Sequence, residues 1–497
     1  MKIDVRRQIK EDQAIMLDLF DTLTYLSSIA TADISRDKIF RLGSQQAGIL
    51  PKYLKKIHLL TKNYGYEYTN ACKIVAKEAT HPSIKDFLLR FSNALSTGEK
   101  EEEFLGGEVE RMINVYTNKY ERDVKTMNKW TDAYTALLVS LTLVVTIVLI
   151  SSMLFALGNV YIISILSGVL ACFTASFGVY VIYRVSPYER TVHSLPVKSK
   201  EQEIARRMCI VILPVIGITS IISVLIGVEP WVVFLIISCL LAPVGIVGMI
   251  DDKKIEKADN DIASFLKSLG SIAGTTGTTL TQAMTHLDKK SIASLEESVD
   301  RLYKRLINGI KPKVCWYNFV GETGSELINK YTKIFLDAVE LGGDPAKIGE
   351  TVSRSSLRIT LLRSKRKLVS SGFMNLMIPL HAAMSGVLIF VYQILFSFNN
   401  ALAEMMEKEA AEIGGGAVGM PAGIGFNIGG NVDLAFIANF VIVIVLILTI
   451  ANALATKFAV GGSNYTLCFY FSLLFLVSAA VVFAVPIMVD NIFILEY

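Results

Sequence analysis

Seven stretches of the chain, at roughly residues 133–157, 160–183, 208–228, 231–250, 372–398, 433–456 and 465–489, are almost wholly apolar. Their interiors hold no Lys, Arg, Asp or Glu apart from Asp433 at one mouth. A helix needs ~20 mostly apolar residues, at ~1.5 Å rise each, to cross ~30 Å of hydrocarbon. All seven stretches meet that length, so the chain reads as an all-α, polytopic membrane protein. Composition agrees: 52% of the 497 residues are apolar, 19% are charged, and the mean hydropathy is +0.48. Soluble chains carry about 25% charged residues. The same figures exclude a disordered or collagen-like chain. The six cysteines lack any C-x-x-C pair, which leaves neither a zinc site nor a disulfide framework legible.

Charge orients the spans. Residues 1–132 hold 21 basic and 19 acidic side chains, the 184–207 loop holds 6 and 3, and residues 251–371 hold 20 and 15. With Lys457 between the last two spans, one side of the membrane carries +11 and the other −7. The positive-inside rule assigns the basic side to the cytoplasm. Seven spans then put the amino terminus inside and the carboxyl terminus outside a plasma membrane. The start, MKIDVRRQIKEDQ, offers no apolar signal-peptide core.

Two charged segments separated by four spans invite a search for duplication. Leu26-Ser-Ser-Ile-Ala30 matches Leu269-Gly-Ser-Ile-Ala273 at an offset of 243. The element Phe91-x-x-Ala94-x-x-x-Gly98 matches Phe335-x-x-Ala338-x-x-x-Gly342 at an offset of 244. Both segments have helical periodicity: Met16, Leu19, Leu23, Leu26 and Ala30 form one stripe, with Asp18 and Asp21 off it, and Ile262, Phe265, Leu266, Leu269 and Ala273 form the other. Polar turns are expected at Thr31–Asp33 and Gly274–Thr279. Pro82-Ser83-Ile-Lys-Asp86 predicts a helix start capped by the Ser83 hydroxyl, with Asp86 reaching back. The domain reading is therefore a cytosolic bundle at 1–132, four transmembrane helices at 133–250 with the basic cytosolic loop 184–207, a second cytosolic bundle at 251–371, and three transmembrane helices at 372–497. The external loop 399–432 contains a short amphipathic helix at Ala401–Ile413 and a Gly-rich run, Gly414–Gly430, read as a flexible or membrane-skimming loop.

Enzymatic motifs are missing. No G-x-x-x-x-G-K-[ST] phosphate loop, H-E-x-x-H zinc helix or G-x-S-x-G elbow is present. No catalytic activity, cofactor or metal is expected, and balanced charge argues against nucleic acid. Within the spans, Asn375, Pro379 and His381 form a polar kink in the fifth. It reads either as a substrate-contact or gating element, or as a hydrogen bond between helices, and the second reading is preferred. The basic run Arg354, Arg358, Arg363, Lys365, Arg366 and Lys367 reads as an anchor against anionic headgroups, with docking of an acidic partner as the sharper alternative. Arg184, Arg190, Lys198, Lys200, Arg206 and Arg207 carry the same pair of readings. A small-solute transporter or channel remains the competing function, although its usual intramembrane charges are missing. A passive scaffold is a third.

The bundle–spans–bundle–spans order, together with the Leu26 and Leu269 elements and the paired Phe-x-x-Ala-x-x-x-Gly elements, resembles the F-type platform proteins of type II secretion systems and type IV pili. The number of spans is more similar to the archaeal branch, which serves archaella and adhesion pili. That resemblance implies tandem F-type cytosolic bundles and a homodimer beneath a growing filament. It also implies a hexameric secretion ATPase bound to the bundles, and pilin- or archaellin-like subunits drawn from the membrane. The second copy has Gly343 where the first has Glu99, so no role passes to Glu99. The resemblance implies no cofactor.

Overall fold

The computed structural model describes residues 5–154, 160–412 and 434–494. The run of helices begins with α1 (Val5–Ala30), α2 (Arg36–Ser44), α3 (Leu50–Tyr64), α4 (Tyr68–Glu78), α5 (Pro82–Thr97), α6 (Glu101–Leu154), α7 (Val160–Val185) and α8 (Lys200–Ile226). It continues with α9 (Pro230–Thr276), α10 (Leu280–Ala283), α11 (Glu296–Ile307), α12 (Pro312–Thr323), α13 (Glu326–Glu340), α14 (Pro345–Glu412), α15 (Leu434–Val460) and α16 (Thr466–Ile494). Among the described residues the β-structure is one isolated bridge, Val192 to Ser325. Seven of the helices, α6 to α9 and α14 to α16, are long and apolar enough to cross a membrane, and the chain is a multi-pass membrane protein.

The duplication is visible in the helix starts. Helices α2, α3, α4, α5 and α6 begin at Arg36, Leu50, Tyr68, Pro82 and Glu101, and α10, α11, α12, α13 and α14 begin at Leu280, Glu296, Pro312, Glu326 and Pro345. The displacement from one set to the other is identical at four of the five starts and only slightly longer at the α3–α11 pair. The paired Phe-x-x-Ala-x-x-x-Gly elements gain a physical meaning from this. Phe91, Ala94, Phe335 and Ala338 are buried on the core faces of α5 and α13. Gly98 and Gly342 close those helices at φ +73° and +91°, where a side chain is strained. Each glycine hands the chain to the longest helix of its copy.

Contacts divide the chain into two units. The first comprises Met1–Lys125, Pro187–Glu203 and Ile250–Lys367. Its first copy packs Phe20, Leu23, Leu26, Ile29, Phe40, Leu54, Phe87 and Phe91. Phe40, Phe91 and Phe104 stack in sequence with ring centroids 5.2 Å apart at each step, each pair adding about 0.5–1.5 kcal/mol beyond area burial. The second copy packs Phe265, Leu266, Leu269, Phe319 and Phe335.

The second unit comprises Thr126–Ser186, Ile204–Met249 and Leu368–Tyr497. Helix α15 is its centre, with Ile437, Val445, Leu448, Ala453 and Ala455 fully enclosed. Helix α8 is its opposite: Ile210, Ile221 and Leu225 stand outward, Leu225 with 80% of its surface exposed. Where α9 crosses α16, a Cβ on Gly245 would sit 2.4 Å from the Phe469 backbone, and one on Gly248 would sit 2.8 Å from Tyr465. Small residues let membrane helices approach this closely, so that dispersion replaces the absent hydrophobic drive.

Three local expectations need correction. Helix α14 runs unbroken through Ala401 to Glu412, so the external amphipathic helix is not separate. Residues 399–412 offer helix-favouring Ala, Glu, Met and Lys and no breaker. Helix α5 is capped by His81, whose Nδ1 accepts from the Ser83 amide at 3.2 Å, because Pro82 takes the first helical position. The Ser83 hydroxyl turns instead to Met16 Sδ at 3.4 Å. Helix α9 persists through Thr276, so the second turn is shorter than expected and starts at Gly277. The Gly-rich run Gly414–Gly430 lies outside the described residues.

The α9–α16 crossing gives a direct test. Gly245→Ala should cost roughly 2–3 kcal/mol through backbone overpacking. Gly217→Ala on α8, where a Cβ meets nothing, should be neutral or stabilise by about 0.5–1 kcal/mol. Thermal unfolding in detergent compares the two, and equal melting temperatures would show that the crossing is not tight.

Candidate functional site

Two buried polar centres stand out, one in each unit. In the membrane unit, α6, α14, α15 and α16 converge on His381, which is fully buried. Tyr134 donates to Asn452 Oδ1 at 2.9 Å, which turns the Asn452 amide nitrogen toward His381 Nδ1 at 3.1 Å. His381 Nδ1 is therefore an acceptor, and the Nε2–H donates to Ser478 Oγ at 2.8 Å. Thr449 closes the cluster at 2.8 Å from Ser478. The hydroxyls of Thr449 and Ser478 also bond carbonyls one turn back, those of Val445 and Leu474, at 2.7 and 3.0 Å. The cluster is a neutral, closed hydrogen-bond network joining four helices. Asn375 and Pro379 do not join it; both are exposed on α14. Lys457 also has a local use: its ammonium reaches the carbonyls of Gly461 and Ser463, both at 2.5 Å, and Thr466 Oγ1 at 2.9 Å. It caps the carboxyl end of α15, where the helix dipole favours a cation.

The second centre lies in the first unit and is ionic. Arg363 Nη1 donates to Asp259 Oδ2 at 2.7 Å, and Asp259 Oδ1 accepts from Ser325, the residue that caps α13. Burial lifts the Asp259 carboxyl to about 6, against the opposing pull of Arg363 and the Ser325 hydroxyl. The other Arg363 nitrogen, Nη2, donates to the Arg190 carbonyl at 3.2 Å. Arg366, only 3% exposed, donates to the Pro187 carbonyl at 3.0 Å and lies 3.5 Å from Glu189, which also accepts from Tyr120.

These contacts bind an irregular strap, residues 187–199, between α7 and α8. Tyr188 N donates to Gln13 of α1 at 2.9 Å, and Glu326 N of α13 donates to the Thr191 carbonyl at 2.9 Å. His193 N donates to the Gly324 carbonyl at 3.3 Å. Burial lowers the His193 pKa, which favours the neutral ring; its Nδ1 accepts from Leu195 N at 3.2 Å. Ser199 and Gln202 both donate to Asp251 of α9, at 2.8 and 3.2 Å. One short segment thus ties elements of both copies together. A cavity of ≈ 20 Å³, about the room one water needs, adjoins it and is lined by Asp21, Tyr116, Tyr120, Glu189, Lys330 and Arg363.

The basic run of α14 therefore splits by helix face. Arg363 and Arg366 turn inward to hold the strap. Lys365 pairs with Glu121 at 2.7 Å, Lys367 with Glu256, and Arg354 with Glu110 and Glu350, all at the surface. Arg358 has no direct ion-pair partner among the described residues and feels Glu121 only at longer range. The strap is the part that sequence reasoning misses. Its prolines, Pro187 and Pro196, mark it as irregular, but nothing local distinguishes a clamped loop from a solvated one. Asp18 and Asp21, which fall off the apolar stripe, also turn out to be structural. Asp18 accepts from the amides of Ile49 and Leu50 at 2.7 and 3.1 Å and opens α3. Asp261, at the equivalent place in the second copy, accepts from the Ser294 amide at 2.8 Å ahead of α11. Asp21 bonds Lys330 and Tyr331 of the other copy.

Removing one partner of a buried ion pair costs about 3–5 kcal/mol, whereas replacing both by apolar residues is often neutral. Arg363→Met and Asp259→Leu should each destabilise the detergent-solubilised protein by that amount, and the double variant should recover most of the loss. Additive losses in chemical unfolding would show that the pair is not coupled.

Comparison with known proteins places the chain near two archaeal proteins. It is 24% identical over 359 residues to Flagella accessory protein J of Methanocaldococcus jannaschii, with 69% of this chain and 63% of that protein aligned. It is 21% identical over 399 residues to Flagella accessory protein J of Methanococcus voltae, with 77% and 71% aligned. No family model matches the chain, and no solved structure matches it.

Proposed function

We propose that this chain is the integral-membrane assembly platform of an archaeal type IV pilus-like filament, with the archaellum favoured over an adhesion pilus by its similarity to the two Flagella accessory J proteins. In this reading the soluble unit faces the cytoplasm with the amino terminus, and the carboxyl terminus lies outside. The chain performs no chemistry of its own. A hexameric secretion ATPase docks on the soluble unit and its nucleotide-driven motion moves the platform. The membrane unit, as a homodimer, helps move pilin- or archaellin-like subunits from the bilayer into the filament.

The observation that carries this reading is helix continuity. Helices α6, α9 and α14 are each unbroken from residues of the soluble unit into apolar membrane segments. A helix is stiffer along its axis than a loop, and α6 has no interior proline, whereas α9 and α14 carry Pro243 and Pro379 within their apolar segments. The strap binds residues on α6, α9 and α14 through Tyr120, Asp251 and Arg363, which favours concerted over independent movement of the three. Arg358 suits a docking role because it is half-exposed and is not consumed by an ion pair within the chain.

Deleting the gene should abolish surface filaments while filament-subunit synthesis continues; normal filament numbers in the deletion strain would overturn the proposal. Arg358→Glu should insert into the membrane normally, weaken co-purification of the ATPase by about tenfold, and reduce filament number in complemented cells. Undiminished co-purification would remove Arg358 from the docking surface.

A further inference from the structure

The two longest helices that cross the soluble unit, α6 and α14, are joined there by three ion pairs: Glu102 with Lys347, Glu110 with Arg354, and Glu121 with Lys365. Glu102 and Lys347 are separated by 245 positions in sequence, and Glu121 and Lys365 by 244. Glu110 and Arg354 are separated by the same interval as Glu121 and Lys365, and so are Glu101 and Pro345, the first residues of the two helices. Each ion pair therefore joins a position in the first copy to its own equivalent, or the next residue to it, in the second. The pairs advance in the same direction along both helices, so the segments run parallel and in register, as a two-fold axis between them would generate.

Such symmetry would ordinarily place like residues opposite one another. Here the charges are divided: all three seam positions on α6 are Glu, and all three on α14 are Lys or Arg. We propose that this seam is a charge-coded interface whose partner is the chain's own second copy, and that it excludes the same seam of another chain. Were α6 to pair with α6 of a second molecule, Glu110 would face Glu110 and Glu121 would face Glu121. Pairing α14 with α14 would set Arg354 against Arg354 and Lys365 against Lys365. Both homotypic arrangements repel, and the heterotypic one is satisfied within a single chain. Exposed pairs contribute little stability individually, but discrimination depends on the difference between attraction and repulsion at three positions. The inference stands independently of the proposed function, and it directs any chain–chain association to a different surface.

Gly106 of α6 and Thr351 of α14 line one cavity of ≈ 220 Å³ on this seam, beside Glu110 and Arg354, and report on it without touching the charges. In a full-length chain with its six native cysteines replaced by Ala, Gly106→Cys and Thr351→Cys together should cross-link through a short bismaleimide within one chain, at monomer mass. A co-expressed mixture of chains carrying one cysteine each should give no dimer. Reversing one side, with Glu102→Lys, Glu110→Arg and Glu121→Lys, should lower the yield of intrachain product by roughly tenfold. Adding Lys347→Glu, Arg354→Glu and Lys365→Glu in the same chain should restore it. Interchain cross-linking of the unreversed mixture as strong as intrachain, or an unchanged intrachain yield after the three-fold reversal, would overturn the proposal. If the three-fold variant aggregates, the six-fold variant decides: recovered monodispersity with intrachain cross-linking supports the charge code, and failure to recover either refutes it.

Discussion

Hydrocarbon offers a polar group no partner, so whatever the chain carries through a membrane must satisfy its hydrogen bonds from its own atoms. That requirement fixes the helical spans, and it also explains the polar residues the spans retain. His381, Asn452, Thr449, Ser478 and Tyr134 are tolerable because they meet one another across four helices, while the Thr449 and Ser478 hydroxyls also reach carbonyls of their own helices. Lys457 is tolerable because its three donors end on two carbonyls and a hydroxyl at the close of α15. Closeness adds to polar pairing where α9 meets α16: Gly245 and Gly248 let α9 lie almost on the backbone there, and Ser238 and Ser472 exchange hydrogen bonds across the same two helices.

In the first unit the same accounting takes an ionic form. Asp259 and Arg363 are costly to bury singly and acceptable together, with Ser325 on the second Asp259 oxygen and the Arg190 carbonyl on Arg363 Nη2. The geometry draws an irregular segment inward, and the strap's carbonyls serve as partners that side chains alone do not supply. The result is a polar knot at which α1, α6, α9, α13 and α14 are all represented. It converts two small bundles, each able to bury its own aromatic core, into one unit.

Duplication supplied the scaffold, and divergence made it specific. The two copies keep the same helix order, the same Phe-Ala-Gly helix ending and the same aspartate cap at Asp18 and Asp261. They differ where they meet, with acids on α6 against bases on α14.

Periodicity and uninterrupted apolar length act over neighbouring residues, and they were sufficient by themselves to specify the spans, the helical class and the buried stripes that run from Met16 to Ala30 and from Ile262 to Ala273. What the sequence left undecided was the direction in which each polar side chain would turn. Arg363, Lys365 and Arg366 are near neighbours on one helix, yet one surface ion pair and two buried clamps result, because a helix rotates about 100° per residue and only the packed neighbours determine which face is inside. Tertiary structure alone made His381 a network member while leaving Asn375 and Pro379 outside it. It also turned a basic loop into a strap, since those outcomes depend on contacts between residues far apart in the chain.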